Sequence, residues 1–344
     1  MKKGLLWAIA GAIVVGLGVM AGLIPLTASS GHWRVTSFVL DLAKRRSVDT
    51  HSFFISPPPL TDRALIARGA AHYESGCATC HGSPAAPRPT IVMGMTPHPP
   101  FLPDRIRRWL PRELFYIVKH GIKFTGMPAW AAHNREDEVW AVVSFLRQMP
   151  ALDAAQYRRL AYGETPPESG SVVERCAQCH GVDGLGRDGA AFPRLAGQSA
   201  EFMRQALVAY ARRARYSGIM GPIAASLDER QVTASVEYFS SLPRAANAAA
   251  DSTAATRGAE IAARGIPQQD VPACGRCHDS AGAEHNAAYP KLAGQFANYL
   301  EMQLNLFAAG KRGGSPYAGL MQPLAMRLTP EQRRDVAAFF AAQP

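Results

Sequence analysis

The chain has 344 residues, 47% of them apolar and 19% charged, so it is long enough for two or three domains and too apolar to be wholly disordered. Its formal charge of +10 fits nucleic acid, anionic lipid, an acidic protein partner or simply a solvated basic surface. The 30 Gly and 26 Pro predict many turns between short elements.

Met1-Lys2-Lys3 leads into an uncharged apolar run from Leu5 to Leu26. At about 1.5 Å rise per residue, such a run crosses a hydrocarbon core of ~30 Å. A secretory signal has a shorter apolar region of about 7–15 residues, and no small-x-small site closes this one. Residues 1–27 are therefore expected to be an uncleaved transmembrane anchor, with a removed signal peptide as the alternative. Lys2 and Lys3 favour a cytoplasmic N-terminus, whereas Arg34, Lys44, Arg45 and Arg46 follow the span closely and oppose it. In the juxtamembrane stretch 28–60, Val35, Phe38, Val39 and Leu42 fall at helical spacing, with Arg34, Asp41, Lys44 and Arg45 elsewhere on the wheel. That pattern fits an amphipathic helix on the membrane surface, a stalk helix or a contact with a membrane subunit. Pro57-Pro58-Pro59 is a stiff spacer.

All six cysteines fall in one repeated motif: Cys77-Ala-Thr-Cys80-His81, Cys176-Ala-Gln-Cys179-His180 and Cys274-Gly-Arg-Cys277-His278. The first cysteines are 99 and 98 residues apart, too long a period for a solenoid and suited to tandem small domains. Those domains are expected at 61–150, 164–243 and 256–344, with linkers near Pro150–Pro167 and Pro243–Ala255. The second and third share more than cysteines. Phe192-Pro193-Arg194-Leu195-Ala196-Gly197-Gln198 parallels Tyr289-Pro290-Lys291-Leu292-Ala293-Gly294-Gln295, and Met220-Gly221-Pro222-Ile223-Ala224 parallels Met321-Gln322-Pro323-Leu324-Ala325. The first has Gly126-Met127-Pro128-Ala129-Trp130 in the latter place.

Every unit reads as helical, and no run of alternating strands stands out. Helices are predicted over Asp62–Tyr73 and Thr256–Arg264 before two of the cysteine pairs. The middle helices are predicted over Pro111–His120 with Gly121 as a stop, Ala200–Arg212 and Ala297–Ala309. Asp228-x-x-Gln231 and Thr329-x-x-Gln332 are capping boxes that open the last helices of the second and third units, Pro330 fits the first helical position, and Asn134 is the corresponding start in the first. Val139, Val143 and Leu146, then Val232, Val236 and Phe239, then Val336 and Phe340 give these last helices a buried stripe.

The pentapeptide Cys-x-x-Cys-His is a c-type haem attachment sequence: two thiols form thioethers to the vinyl groups, and the next His donates a ring nitrogen to iron. A redox dithiol needs no His at that position, and a zinc site needs four ligands where these pairs lie about a hundred residues apart. Three haems would add six propionate charges and bring +10 to about +4, which removes most of the support for nucleic-acid binding. Methionine is the usual soft sixth ligand of electron-transfer haems. Met127 lies 46 residues after His81, Met220 lies 40 after His180 and Met321 lies 43 after His278, each in or beside a Pro-containing loop. Met203 aligns with Leu300 and is core, Met302 aligns with Gln205, and Met326 aligns with Ala225. Met93 and Met95 follow His81 by 12 and 14 residues, a short distance for the chain to return to the far face. His32, His51, His72, His98, His120, His133 and His285 are expected at the surface or near propionates, with a distal role for His120 or His133 as a minor alternative.

These residues resemble the class I cytochrome c family over about 61–344. The second and third units are similar to the two halves of dihaem cytochrome c4. The first, with Gly121-Ile122-Lys123 and Gly126-Met127-Pro128-Ala129-Trp130, is similar to haem domains in the cytochrome subunits of membrane-bound alcohol and gluconate dehydrogenases. The resemblance implies an all-α fold of three tandem small bundles after one transmembrane helix. It implies covalent haem on Cys77, Cys80, Cys176, Cys179, Cys274 and Cys277, proximal His81, His180 and His278, and distal Met127, Met220 and Met321. Covalent attachment outside the cytoplasm places the haem domains in the periplasm of a bacterial inner membrane. The expected function is electron transfer by a non-catalytic carrier, from a quinol–cytochrome c reductase or dehydrogenase to an acceptor such as a terminal oxidase. The alternatives are a cytochrome subunit of a membrane-bound dehydrogenase complex, or a haem peroxidase or sulfur-compound oxidoreductase, which would need one open iron. No Ser-His-Asp set, phosphate loop or paired-carboxylate motif stands out.

Overall fold

The computed structural model describes residues 2–163, 170–244, 252–278 and 286–344, so His285 and parts of both expected linkers lie outside the described residues. Among those residues the chain is all-α, with short 3-10 turns, two isolated bridges and no β-strand.

Helix α1 (Lys2–Met20) is long and apolar enough to cross a membrane, and no residue of its span from Lys3 to Met20 is buried. Helix α2 (Arg34–Ser52) divides its length between two environments. Its first half exposes Val35, Phe38, Val39 and Leu42, while Val48 and Ser52 near its end are buried.

The first bundle comprises α3 (Arg63–Gly76), α4 (Ala78–His81), α5 (Leu102–Arg105), α6 (Pro111–His120), α7 (Glu136–Gln148) and α8 (Ala154–Tyr162). The second comprises α9 (Val172–His180), α10 (Ala200–Ala211), α11 (Met220–Ala225) and α12 (Glu229–Ser241). The third comprises α13 (Ser252–Arg264), α14 (Gly275–His278), α15 (Ala297–Ala308), α16 (Ala318–Arg327) and α17 (Pro330–Ala342).

Local chemistry sets these boundaries. Asp62 caps α3 by accepting from the Leu65 N–H at 2.8 Å. Glu113 accepts from the Leu110 N–H at 2.7 Å, and Gly121 ends α6. Both predicted capping boxes form, Asp228 with Gln231 and Thr329 with Gln332. Asn134 does not start α7: the helix begins at Glu136 after Arg135, whose guanidinium grips Asp137 at 2.8 Å. Three acidic residues in that first turn complement the helix dipole without an Asn cap. The stretch after Pro150, read as linker, folds as α8. Its Tyr157 and Ala161 are buried in the first core, because the hydroxyls of Tyr157 and Tyr162 both donate to Glu74 on α3.

Helices α3 and α7 of the first bundle, and α13 and α17 of the third, cross at a glycine. A Cβ on Gly69 would stand 1.9 Å from the Ala141 carbonyl oxygen, and one on Gly258 would stand 2.0 Å from the Asp335 carbonyl oxygen. Around the first crossing lie Tyr73, Val139, Val142, Val143, Phe145 and Tyr157. The second core is built on Met203, Val236 and Phe239, and the third on Ile261, Leu300, Val336 and Phe340. Met203 is thus the core residue its alignment predicts.

The bundles also pack on one another. The second and third meet through Gln198 and Gln295. The Gln295 side chain accepts from the Arg194 N–H and donates to the Arg194 carbonyl, both at 3.0 Å. Gln198 does the same with Lys291, both at 2.9 Å. The first bundle meets the second along an alanine face of α3 (Ala64, Ala67, Ala71) that packs on Phe192, and meets the third where Arg68 approaches Met302 Sδ at 3.6 Å.

Candidate haem sites

Each Cys-x-x-Cys-His sequence ends a helical segment, a four-residue turn in the first and third bundles and the nine-residue α9 in the second, so the His follows the second thiol on the same segment. The imidazoles share one orientation. The Nδ1 of His81 pairs with the Pro100 carbonyl at 2.9 Å, that of His180 with Pro193 at 2.9 Å and that of His278 with Pro290 at 3.0 Å. With Nδ1–H donating to a carbonyl, Nε2 is left as the acceptor nitrogen, the tautomer a metal-binding imidazole requires. Burial pulls the His81 and His180 pKa values below the ordinary range, partly offset by those carbonyl bonds, which keeps both rings neutral. Phe192 and Tyr289, each one residue before the carbonyl-bearing proline, flank His180 and His278 with ring centroids 6.4 and 6.1 Å away. Sequence reasoning quoted Pro193 and Pro290 as repeat markers without seeing this role, and missed Pro100, which lies in no matched segment.

Four of the six thiols lack the electropositive setting of a reactive dithiol. Burial pushes Cys77 up to about 12 and Cys179 and Cys274 up to about 11, and it also raises Cys176. A reactive dithiol depends on the opposite shift. Among the described residues, no group of three or more His, Cys, Asp or Glu side chains is arranged to hold a metal ion by itself.

The three methionines take different settings. Met127 follows Thr125, whose hydroxyl accepts its N–H at 3.1 Å, and its carbonyl accepts from Ile122 N–H at 3.2 Å. Met220 opens α11, with its N–H on the Ser217 hydroxyl at 3.0 Å. Met321 lies on α16 and packs beside the buried Phe307, Ala318 and Ala325. All three are partly buried. Met95 comes to the same loop as Met127, since a Cβ on the intervening Gly126 would meet its methyl carbon at 1.9 Å. Met326 is exposed, as are His32, His51, His98, His120 and His133. His72 is not a surface residue. It is buried on α3, and burial pulls its pKa down to about 3.

A haem also brings carboxylates, and the fold holds cations that fit them. Arg215 and Arg312 occupy equivalent positions of the second and third units, and each stacks over an aromatic ring of its own middle helix, Tyr210 and Phe307, at 4.5 Å. Neither forms an ion pair with a carboxylate among the described residues. Burial and the Arg215 charge hold Arg312 down at about 9, a strain that a nearby anion would relieve. Thiol pairs, tautomer-fixed imidazoles and two guanidinium groups without a carboxylate partner among the described residues together fit haem.

The fold and these sites define a multi-site, covalently haem-binding protein of helical bundles. The chain belongs to the cytochrome c family. A family model described as "Cytochrome c" matches residues 170–243 and 255–343, and one described as "Cytochrome C oxidase, cbb3-type, subunit III" matches residues 64–146. The chain is 37% identical over 186 residues to a "Thiosulfate dehydrogenase electron acceptor" of Thiomonas intermedia (strain K12), covering 54% of this chain and 83% of that protein. It is 31% identical over 177 residues to a cytochrome c4 of Thiocapsa roseopersicina, covering 50% of this chain and 90% of that one. A solved structure of thiosulfate dehydrogenase (TsdBA) from Marichromatium purpuratum superposes with a TM-score of 0.45 at 37% identity, over 49% of this chain and 36% of that chain. Electron transfer is the general function of a c-type cytochrome of this family, and a carrier role is consistent with it.

Proposed function

We propose that the chain is a membrane-anchored, three-haem relay facing the periplasm, held by α1 as a single span. The three haem domains are those expected at 61–150, with α8 packed onto its core, 164–243 and 256–344. In this reading Cys77 and Cys80, Cys176 and Cys179, and Cys274 and Cys277 hold the haems. His81 with Met127, His180 with Met220, and His278 with Met321 are the axial pairs. Bound haem supplies a one-electron iron couple whose potential His/Met ligation raises. The chain's own residues do the rest. The Pro100, Pro193 and Pro290 carbonyls fix the imidazoles, and Arg215 and Arg312 would supply positive charge for propionates of the second and third haems.

The observation that supports this best is the threefold pairing of a motif His Nδ1 with a proline carbonyl at 2.9–3.0 Å. The kinship of the second and third units with thiosulfate dehydrogenase electron acceptors favours a periplasmic sulfur-compound dehydrogenase as donor, with a quinol–cytochrome c reductase as the other candidate. The acceptor is a terminal oxidase. The match of the first unit to an oxidase-subunit family favours that unit as the exit. A cytochrome subunit permanently bound to a membrane dehydrogenase is the second reading, supported by the exposed apolar face of α2.

Haem counting by the pyridine haemochrome spectrum against protein concentration, with carbon monoxide added to the reduced protein, tests the proposal. Three haems per chain, none binding carbon monoxide, is the expected result. Fewer haems, or one that binds carbon monoxide readily, overturns the closed three-haem relay.

A further inference from the structure

The segment that leads to Met220 is held by both neighbouring units as well as by its own α10, where the Ala214 and Arg215 N–H groups bond the Ala209 carbonyl. Arg215 reaches into the third unit, where Tyr299 and Gln303 both lie at 3.3 Å. The next three residues turn to the first unit. The Tyr216 carbonyl accepts from Arg135 at 2.8 Å. Ser217 Oγ donates to Glu138 Oε1 and the Gly218 N–H donates to Glu138 Oε2, both at 2.6 Å. Ser217 Oγ in turn accepts the Met220 N–H at 3.0 Å and the Ile219 N–H at 3.3 Å. Glu138 is almost fully buried on α7, and its remaining partners are Arg135 at 3.1 Å and the indole N–H of Trp130 at 3.1 Å. Trp130 closes the Met127 loop and lies flat against Gly218, where an added Cβ would fall 2.2 Å from its Nε1.

We propose that Glu138 is a positioning residue that locks the Met127–Trp130 loop of the first unit to the Ser217–Met220 loop of the second, so that the distal side of the middle haem is set from outside its own unit. The inference rests on Met127 and Met220 being the distal ligands proposed above. Four donors converge on Glu138: a hydroxyl, a backbone amide, an indole and a guanidinium. Only an acceptor-only side chain satisfies all four. Glutamine must turn its NH2 either toward Ser217 and Arg135, which loosens Ser217 and the Arg135 clasp on the Tyr216 carbonyl, or toward Gly218 and Trp130, which loosens both loops at once. The proximal side of the same haem site is also held from the first unit, since Arg187 donates to the Leu160 and Ala161 carbonyls and Phe192 packs on α3.

The test uses full-length holoprotein and the upfield ε-methyl proton signals of iron-bound methionine in the reduced state. Met127→His, Met220→His and Met321→His, one at a time, assign the three signals. In Glu138→Gln, and independently in the milder Ser217→Ala, the Met220 signal moves or broadens and the Met321 signal stays in place. Carbon monoxide binding to the second haem rises about tenfold, the scale of one lost charge-assisted hydrogen bond. Wild-type Met220 signal and carbon monoxide kinetics in both variants would overturn the proposal. Movement of the Met127 signal alone would also overturn it, because Glu138 would then serve only its own unit. If Glu138→Gln fails to load haem, Ser217→Ala decides. If Met220→His leaves all three methyl signals unchanged, the ligand assignment itself fails, and the proposal falls for that separate reason.

Discussion

Replacing Gly69 with Ala puts a methyl group where two helices already touch. The new carbon would lie 1.9 Å from the Ala141 carbonyl oxygen, 2.6 Å from its carbonyl carbon and 2.8 Å from Phe145 Cβ. Ordinary contact begins at 3.4 Å, so α3 and α7 must separate by up to 1.5 Å. The obstacle is backbone, which no rotamer change can move aside. Overpacking costs about 1–3 kcal/mol in general, and a backbone clash belongs at the upper end. At about 4–8 °C per kcal/mol for a domain of this size, a loss of about 3 kcal/mol lowers the Tm of the first unit by at least about 12 °C. Thermal and urea unfolding of the holoprotein, followed by near-UV circular dichroism, reads this directly. Gly258→Ala repeats the experiment in the third unit, where the clash is with the Asp335 carbonyl oxygen at 2.0 Å. If both variants melt with the wild type, the helix crossings do not hold these bundles together and the reasoning is wrong.

The capping boxes are independent of haem, so Asp228→Ala and Thr329→Ala should each cost about 1 kcal/mol in urea unfolding. His72 gives a pH dependence of definite sign. Its folded pKa of about 3 lies below the ordinary 6.5, so the native state resists protonation. Stability from this group is whole above pH 6.5 and falls as the pH drops toward 3, by up to roughly 5 kcal/mol. His72→Leu should therefore flatten the acid limb of a Tm-against-pH curve. Arg312→Gln removes a buried positive charge, so the reduction potential of at least one haem should fall, on the order of 50 mV for a one-electron couple, in a redox titration. The exposed face of α2 predicts that Phe38→Glu with Leu42→Glu weakens binding of a variant lacking α1 to lipid vesicles, and unchanged partition would remove the membrane-surface reading.

What the sequence revealed followed from short-range rules. Helix starts at Asp62, Pro111, Asp228 and Thr329 were readable because a cap and its partner lie within three residues of one another. The thiol pairs and imidazoles were readable because attachment chemistry demands contiguous residues. Asn134 misled because the acidic first turn and Arg135 do its work through charge. Tyr157 and Tyr162 looked like linker because their anchor, Glu74, is more than eighty residues earlier. Glu138 escaped notice for the same reason: it is an ordinary helix residue until the fold brings Ser217 and Gly218 to it.

The way the units join follows from duplication. A glutamine amide presents an acceptor oxygen and a donor NH2 side by side, matching the N–H and C=O of a single backbone residue. When the same segment occurs twice, Gln198 can bond residue 291 while Gln295 bonds residue 194, because the two glutamines and the two bonded residues are each 97 positions apart. One motif thus writes both halves of a pseudo-twofold seam, as in an isologous dimer interface. The first unit has no Leu-Ala-Gly-Gln segment and cannot join such a seam. It attaches instead through Arg135, Glu138 and Trp130, which are unlike anything in the other two units and meet backbone and hydroxyl groups of the second. A symmetric pair with a third, asymmetrically docked unit gives the middle haem site two different neighbours. Its surroundings therefore differ from those of either outer site, even though all three carry the same pentapeptide.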